Sequence, residues 1–125
     1  MSRNGGIEAR RTPRRVFERP VGVLWRGEYG ILRALELSEG GILFATNSKI
    51  PIHSLVAVTV LLPDGHSVVA KGEIIYEQPG EKMMYRYGVK FDSLPLHRRR
   101  LIRNYVAAKT QEEAEREKIE VHSAS

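Results

Sequence analysis

From Val16 onward the chain alternates apolar and polar residues with the two-residue period of a half-buried strand. Phe17, Val21, Val23 and Trp25 fall on one face, interrupted by Arg19 and by Pro20, a residue tolerated at strand edges. Arg26-Gly27-Glu28 turns the chain, and Tyr29 to Leu37 forms a second strand-like run. A third, Ile42 to Ala45, follows a turn that contains the glycine pair Gly40-Gly41. Thr46 to Ser54 is polar, contains Pro51 and reads as a loop. Val56, Val58, Val60 and Leu62 then alternate on a fourth strand, which Pro63-Asp64-Gly65 ends. Ser67 to Tyr76 is a fifth strand, and Gly72 in its middle predicts either a bulge or a close backbone crossing. After the turn residues Glu77 to Glu81, the sixth strand sets Tyr85, Tyr87, Val89 and Phe91 on one face and Arg86, Gly88, Lys90 and Asp92 on the other.

The period changes only near the carboxyl end. After Ser93-Leu94-Pro95, residues Leu101, Ile102, Tyr105, Val106 and Ala108 recur at helical spacing, and that face should pack on the strands. Beyond Thr110 the apolar stripe stops, so the helix is expected to run into water and fray. Six short strands with tight turns and no crossover helices predict an all-β fold with a C-terminal helix. Its expected form is a six-stranded antiparallel β-barrel, because closure removes exposed sheet edges.

Composition narrows this further. A chain of 125 residues with 42% hydrophobic content suits one core, and the absence of cysteine excludes disulfides and thiolate metal sites. No run has the length and apolarity of a membrane span, and the first residues lack the apolar centre of a signal peptide; a cytoplasmic protein is expected. The net charge of +5 is uneven: residues 1 to 19 hold six Arg against Glu8 and Glu18, whereas residues 110 to 125 hold five Glu against Arg116 and Lys118. The expected organisation is a flexible basic arm over 1–15, a barrel with its closing helix over 16–109, and a charged helical tail over 110–125.

The candidate chemistry lies at two places. Glu36 and Ser38 are two residues apart at the end of the second strand, so both side chains project to one side of an extended backbone, and Gly40 and Gly41 then permit positive φ and a close ligand approach. Upstream, Arg10, Arg11, Arg14 and Arg15 crowd four guanidinium groups into a segment with little apolar content, which points to an anion. No His, acid or Ser grouping has catalytic spacing, no metal cluster is visible, and the four histidines are dispersed, so an enzyme is not expected. Asp64 and Asp92 border turns, where bonding to the local backbone accounts for them. Arg98-Arg99-Arg100 reads as a solvated helix face, and Trp25 as a packing residue.

At these two places the chain resembles the PilZ domain family, whose signature is an Arg-x-x-x-Arg arm followed by Asp/Asn-x-Ser-x-x-Gly at the end of the second strand. Here the second half reads Glu36-x-Ser38-x-x-Gly41, with Glu36 one methylene longer than the family's Asp or Asn. The arginine half matches in two registers, Arg10 with Arg14 and Arg11 with Arg15. The likeness continues to about Lys109 through Val56 to Leu62, Glu73-Ile74-Ile75-Tyr76 and Tyr87-Gly88-Val89-Lys90-Phe91.

The resemblance implies a receptor for cyclic di-GMP that signals to a protein effector, with no other cofactor. Guanidinium groups match both phosphate oxygens and the O6/N7 edge of guanine, and they stack on bases. Ser38 would offer its hydroxyl, Glu36 would accept from a guanine N–H, and Gly40 and Gly41 would clear space. Tyr76 has two readings, packing at the barrel rim and stacking on an exposed base. Two other functions stay open: a PilZ-like interaction module that binds no nucleotide, which the departure at Glu36 keeps in play, and a small barrel for single-stranded nucleic acid. The confinement of the Arg cluster to the arm disfavours the second.

Overall fold

A computed structural model of the chain describes residues 15–124. Six strands precede one helix: β1 (Arg15–Trp25), β2 (Glu28–Ser38), β3 (Gly41–Thr46), β4 (Leu55–Leu61), β5 (Ser67–Pro79), β6 (Tyr85–Phe91) and α1 (Leu96–Ala124). Every pairing is antiparallel, and the sheet closes on itself in the order β1-β2-β3-β6-β5-β4, with Val21 to Leu24 of β1 completing the ring against Ala57 to Val60 of β4. The sequence-predicted barrel is the observed fold. Pro20 fits because the ladder to β4 begins only at Val21, so its missing N–H falls where that pairing has not started.

The alternating positions supply the core. Val21, Val58, Val60, Val68, Leu37 and Ile74 point inward with Phe17, Phe44 and Tyr87, all almost fully buried. The Tyr87 hydroxyl accepts a hydrogen bond from the Ile50 N–H at 2.8 Å, so the one polar tip among these aromatics is satisfied, and burial raises the Tyr87 pKa. α1 caps the barrel: Ile102 and Val106 are buried, and Tyr105 meets Phe17 edge to face with ring centroids 5.4 Å apart. Residues 111–116 are exposed, yet α1 continues through the charged extension to Ala124. Among the described residues no helix is long and apolar enough to cross a membrane.

Local chemistry sets the turns. Arg26 and Gly27 both have positive φ, 53° and 78°, which gives the two-residue hairpin between Trp25 and Glu28 the twist that antiparallel strands need. The Arg26 guanidinium lies 5.5 Å from the centre of the half-buried Trp25 ring. Asp64 accepts from the His66 N–H at 2.9 Å, the local turn bond expected of it. Two expectations change. Glu77, Gln78 and Pro79 extend β5 rather than forming the turn, because they pair with Tyr87, Arg86 and Tyr85 of β6. The β5 bulge lies between Ile74 and Tyr76, not at Gly72. Gly72 is instead a close crossing, where a Cβ would come within 2.6 Å of both the Lys90 carbonyl and a Val89 methyl.

Because one of those neighbours is backbone, Gly72→Ala should destabilise the barrel by about 1–3 kcal/mol. Urea unfolding should show a lower midpoint at unchanged slope; an unchanged midpoint would mean that β6 yields freely.

Candidate functional site

The site begins with strand parity. Ala34 of β2 points into the core opposite Phe44, so a regular strand would also turn Glu36 inward. A bulge between Ala34 and Glu36 inserts Leu35 without a partner on β3 and reverses the alternation. Leu37 therefore enters the core opposite Ile42, while Glu36 and Ser38 take outer-face positions opposite Leu43 and Gly41. The same device recurs on β5. Ile74 is buried, and the bulge between Ile74 and Tyr76 sends Tyr76 to the outer face opposite Gly88. Leu43 and Gly88 are themselves partners, so Glu36, Leu43, Gly88 and Tyr76 form one row across β2, β3, β6 and β5. At a strand spacing of about 4.8 Å, that row is roughly 14 Å long.

The Tyr76 ring lies against Gly88, since a Cβ there would overlap it, and so forms a flat aromatic surface on the sheet. β6 adds two outward cations on either side of Gly88: Arg86 opposite Ala45 and Lys90 opposite Gly41. These were not singled out from the sequence. The available signal was their alternation with buried Tyr87, Val89 and Phe91, but only the pairing of β6 with β3 puts Lys90 in the row of Ser38 and Gly41 and Arg86 in the row of Arg33 and Ala45.

The turn itself is closed by Ser38. Its buried hydroxyl accepts from the Gly40 N–H at 3.2 Å and donates to the Gly41 carbonyl at 3.5 Å. Neither Gly40 nor Gly41 has the positive φ that the glycine pair suggested. Gly41 is needed for another reason: a Cβ would run into the Val89 carbonyl of β6. Gly40 is open, since a Cβ there would meet only the Ser38 Oγ, at an ordinary 3.8 Å, and its carbonyl accepts from the Phe91 N–H at 2.9 Å.

Arg10, Arg11 and Arg14 lie outside the described residues. Arg15 starts β1 with its backbone opposite Leu37, and Val16 lies opposite Glu36. The arm therefore leaves the barrel beside the Glu36–Ser38 pair.

A second set of charges lies below the turn. Arg103 of α1 forms two hydrogen bonds with Glu39, Nε to Oε2 at 2.8 Å and Nη2 to Oε1 at 3.0 Å. The Arg103 bonds, with the charges of Arg103 and Arg99, hold the Glu39 carboxyl below its ordinary pKa against partial burial. A cleft of about 580 Å³ opens alongside, lined by Glu39, Gly40, Lys90, Asp92, Ser93 and Arg99 among others. Arg99 Nε is buried there without a hydrogen-bond partner. The Arg98-Arg99-Arg100 run is thus not a uniformly solvated face: Arg98 donates to the Val69 carbonyl at 3.0 Å, Arg99 lines the cleft, and Arg100 is exposed. The spacing of Arg99 and Arg103 beside Ile102 and Val106 was a visible signal, but their acceptor, 64 residues from Arg103, was not. Among the described residues, no group of three or more His, Asp or Glu could hold a metal ion.

The PilZ domain family model matches residues 8–108. Among solved structures, the inhibitor of motility MotI/DgrA of Bacillus subtilis aligns with a TM-score of 0.75 at 10% identity, covering 82% of this chain and 52% of that one. YcgR of Escherichia coli, solved in complex with c-di-GMP, gives a TM-score of 0.70 at 15% identity over 87% of this chain and 49% of its own. MrkH of K. pneumonia, also solved as a c-di-GMP complex, gives 0.65 at 18% identity over 86% and 55%. At these identities the likeness is one of fold, and this chain spans about half the length of each. No curated protein matches the sequence.

The turn-to-helix ion pair has a pH signature. The folded Glu39 carboxyl ionises below its unfolded value, so the link contributes fully above the ordinary glutamate range and is lost as pH falls through the depressed folded value. A carboxyl NMR titration should place the Glu39 midpoint below that of a free glutamate, and Arg103→Met should move it upward. A midpoint indifferent to Arg103→Met would deny the link in solution.

Proposed function

The chain belongs to the PilZ domain family, and from that premise we propose that it is a cytoplasmic receptor for cyclic di-GMP, held between the Arg-rich arm and the Glu36-x-Ser38-x-x-Gly41 turn. The observation that carries this reading is the register of β1 on β2, which starts β1 at Arg15 and sets the exposed Val16 opposite Glu36, so the preceding segment enters the barrel beside the turn. Arg10 is five residues before Arg15 in sequence, and an extended segment of that length spans about 17 Å, long enough to bring arginines of the arm to the outer face beside the turn.

That face suits the two guanines and two phosphates of the ligand. The guanidinium groups of Arg10, Arg11, Arg14 and Arg15 would take phosphate oxygens and guanine O6/N7 edges. Glu36, aimed outward by the bulge, would accept from a guanine N–H. Ser38 has its turn bonds already, so its contribution to ligand would be a shared hydroxyl contact. Gly40 leaves its side of the turn open, Gly41 lets β6 approach, and the Tyr76 ring on Gly88 offers a base a flat partner. Such a site binds and does not react; its output is the position of the arm, presented to a protein effector. The solved complexes of YcgR and MrkH with c-di-GMP support the choice of ligand.

Calorimetric titration tests the assignment. Cyclic di-GMP should bind well ahead of GTP, cyclic di-AMP and a random oligonucleotide; equal binding of the oligonucleotide would transfer the site to nucleic acid. Since one guanidinium–guanine pairing contributes about 1–3 kcal/mol, Arg10→Ala or Arg14→Ala should weaken binding by roughly tenfold, and Arg100→Ala on the exposed helix face should not. Glu36→Asp should tighten binding by restoring the shorter carboxylate of the family pattern. Amide exchange should show protection rising across 10–15 and 36–41 together when ligand is added; a change confined to one of them would rule out the clamp.

A further inference from the structure

The barrel wall opposite the candidate site is unusually apolar for an outer face. In the six-strand ring, β1 and β4 lie three places from β6 and β3. One outward row across β2, β1, β4 and β5 reads Ile31, Gly22, Thr59, Val69, and the next reads Tyr29, Leu24, Ala57, Lys71. Ile31 is 64% exposed, Tyr29 60%, Val69 48% and Leu24 42%, with Leu61 of β4 beside them at 53%. The Tyr29 ring lies across Gly22, where a Cβ would overlap it, so the centre of the wall is smooth. These two rows contain no carboxylate, and their one charge is Lys71. Arg33 stands at the diagonal corner, two residues beyond Ile31, in a long exposed contact with Glu18 at 3.6 Å.

Scattered single apolar residues on a surface need no explanation, but a contiguous patch does. Four strands about 4.8 Å apart and two to three outward rows about 7 Å apart give roughly 300–400 Å². A stable interface buries about 800 Å² on each partner, so the wall suits a transient contact rather than an obligate dimer. Charge argues the same way: a second copy would bring its own Lys71 and Arg33, with its Glu18 already against Arg33, whereas a partner's carboxylates would pair with Lys71 and displace the loose Glu18–Arg33 contact.

We propose that the outer wall of β1, β2, β4 and β5 docks a protein partner whose contact face is apolar at its centre and edged with carboxylates. The wall is centred on β1 and β4, across the ring from β3 and β6, and its two rows share no residue with the row from Glu36 to Tyr76, so partner and ligand occupy the chain together. Docking there depends on neither the identity of the ligand nor the arm.

The full chain carrying the photocrosslinker p-benzoylphenylalanine at Ile31, expressed in bacterial cells, is the probe. The crosslinked protein is identified, purified and titrated against unmodified chain. Ile31→Glu and Lys71→Glu should each weaken binding about tenfold or more with an unchanged circular dichroism spectrum. Ile31→Lys should cost less than Ile31→Glu, and added salt should weaken the complex. The proposal is overturned by adducts no different from those of a crosslinker at exposed Glu115, by adducts with a second copy of the chain alone, or by a partner indifferent to these substitutions. Co-sedimentation with phosphatidylethanolamine–phosphatidylglycerol vesicles that Ile31→Glu abolishes would instead make the wall a lipid contact.

Discussion

A pleated strand shows alternate residues to its two faces, and in a closed barrel one face is core and the other is surface. That constraint governs this protein. Inward positions of β1, β4, β5 and β6 are filled by Val, Ile, Phe and Tyr, with Ala70 opposite Val58, and any side chain that is to meet a ligand must escape the same rule. Two bulges provide the escape, at Leu35 and at Ile75. Each inserts one residue, and each re-aims the next side chain outward, Glu36 in one case and Tyr76 in the other. The outer row joining them exists only because both strands slip.

The glycines of the site act through packing more than through conformation. Gly41 admits the Val89 carbonyl, Gly88 seats the Tyr76 ring, and Gly72 admits the Lys90 carbonyl. All three lie on or against β6, which makes that strand the one on which the neighbouring elements converge. Through Phe91 it also fixes the Gly40 carbonyl, and past Phe91 the chain leads directly into α1. α1 returns to the turn through Arg103 and Glu39. The turn is thus tied to the rest of the molecule by backbone on one side and by an ion pair on the other. On the proposed reading, movement of the turn when ligand binds would be felt by the helix, whose residues 111–116 are exposed.

The barrel presents two unlike surfaces on opposite sides. Around β3 and β6 the outer positions are Gly41, Leu43 and Ala45 on one strand and the cations Arg86 and Lys90 about Gly88 on the other. Around β1 and β4 they are apolar with charges only at the corners. On the proposed reading, one surface takes the signal and the other meets whatever reads it, and the ring of six strands separates their centres by half a turn.

Much of this was legible in the sequence, because strand existence, the inward residues and the signature turn depend on local period and on residues close together in the chain. The alternation of Val56, Val58, Val60 and Leu62, and of Tyr85 to Phe91, states the inward face directly, and Glu36-x-Ser38-x-x-Gly41 carries its own spacing. What stayed hidden depended on partners distant in sequence. The bulges beside Glu36 and Tyr76 are relations between two strands, not properties of either. The bond from Arg103 to Glu39 spans 64 positions, and the reason for Gly41 lies in a strand 48 residues later. Sequence period determines which residues want to be inside. Register, which only closure of the barrel fixes, decided which of the remaining side chains stand together outside.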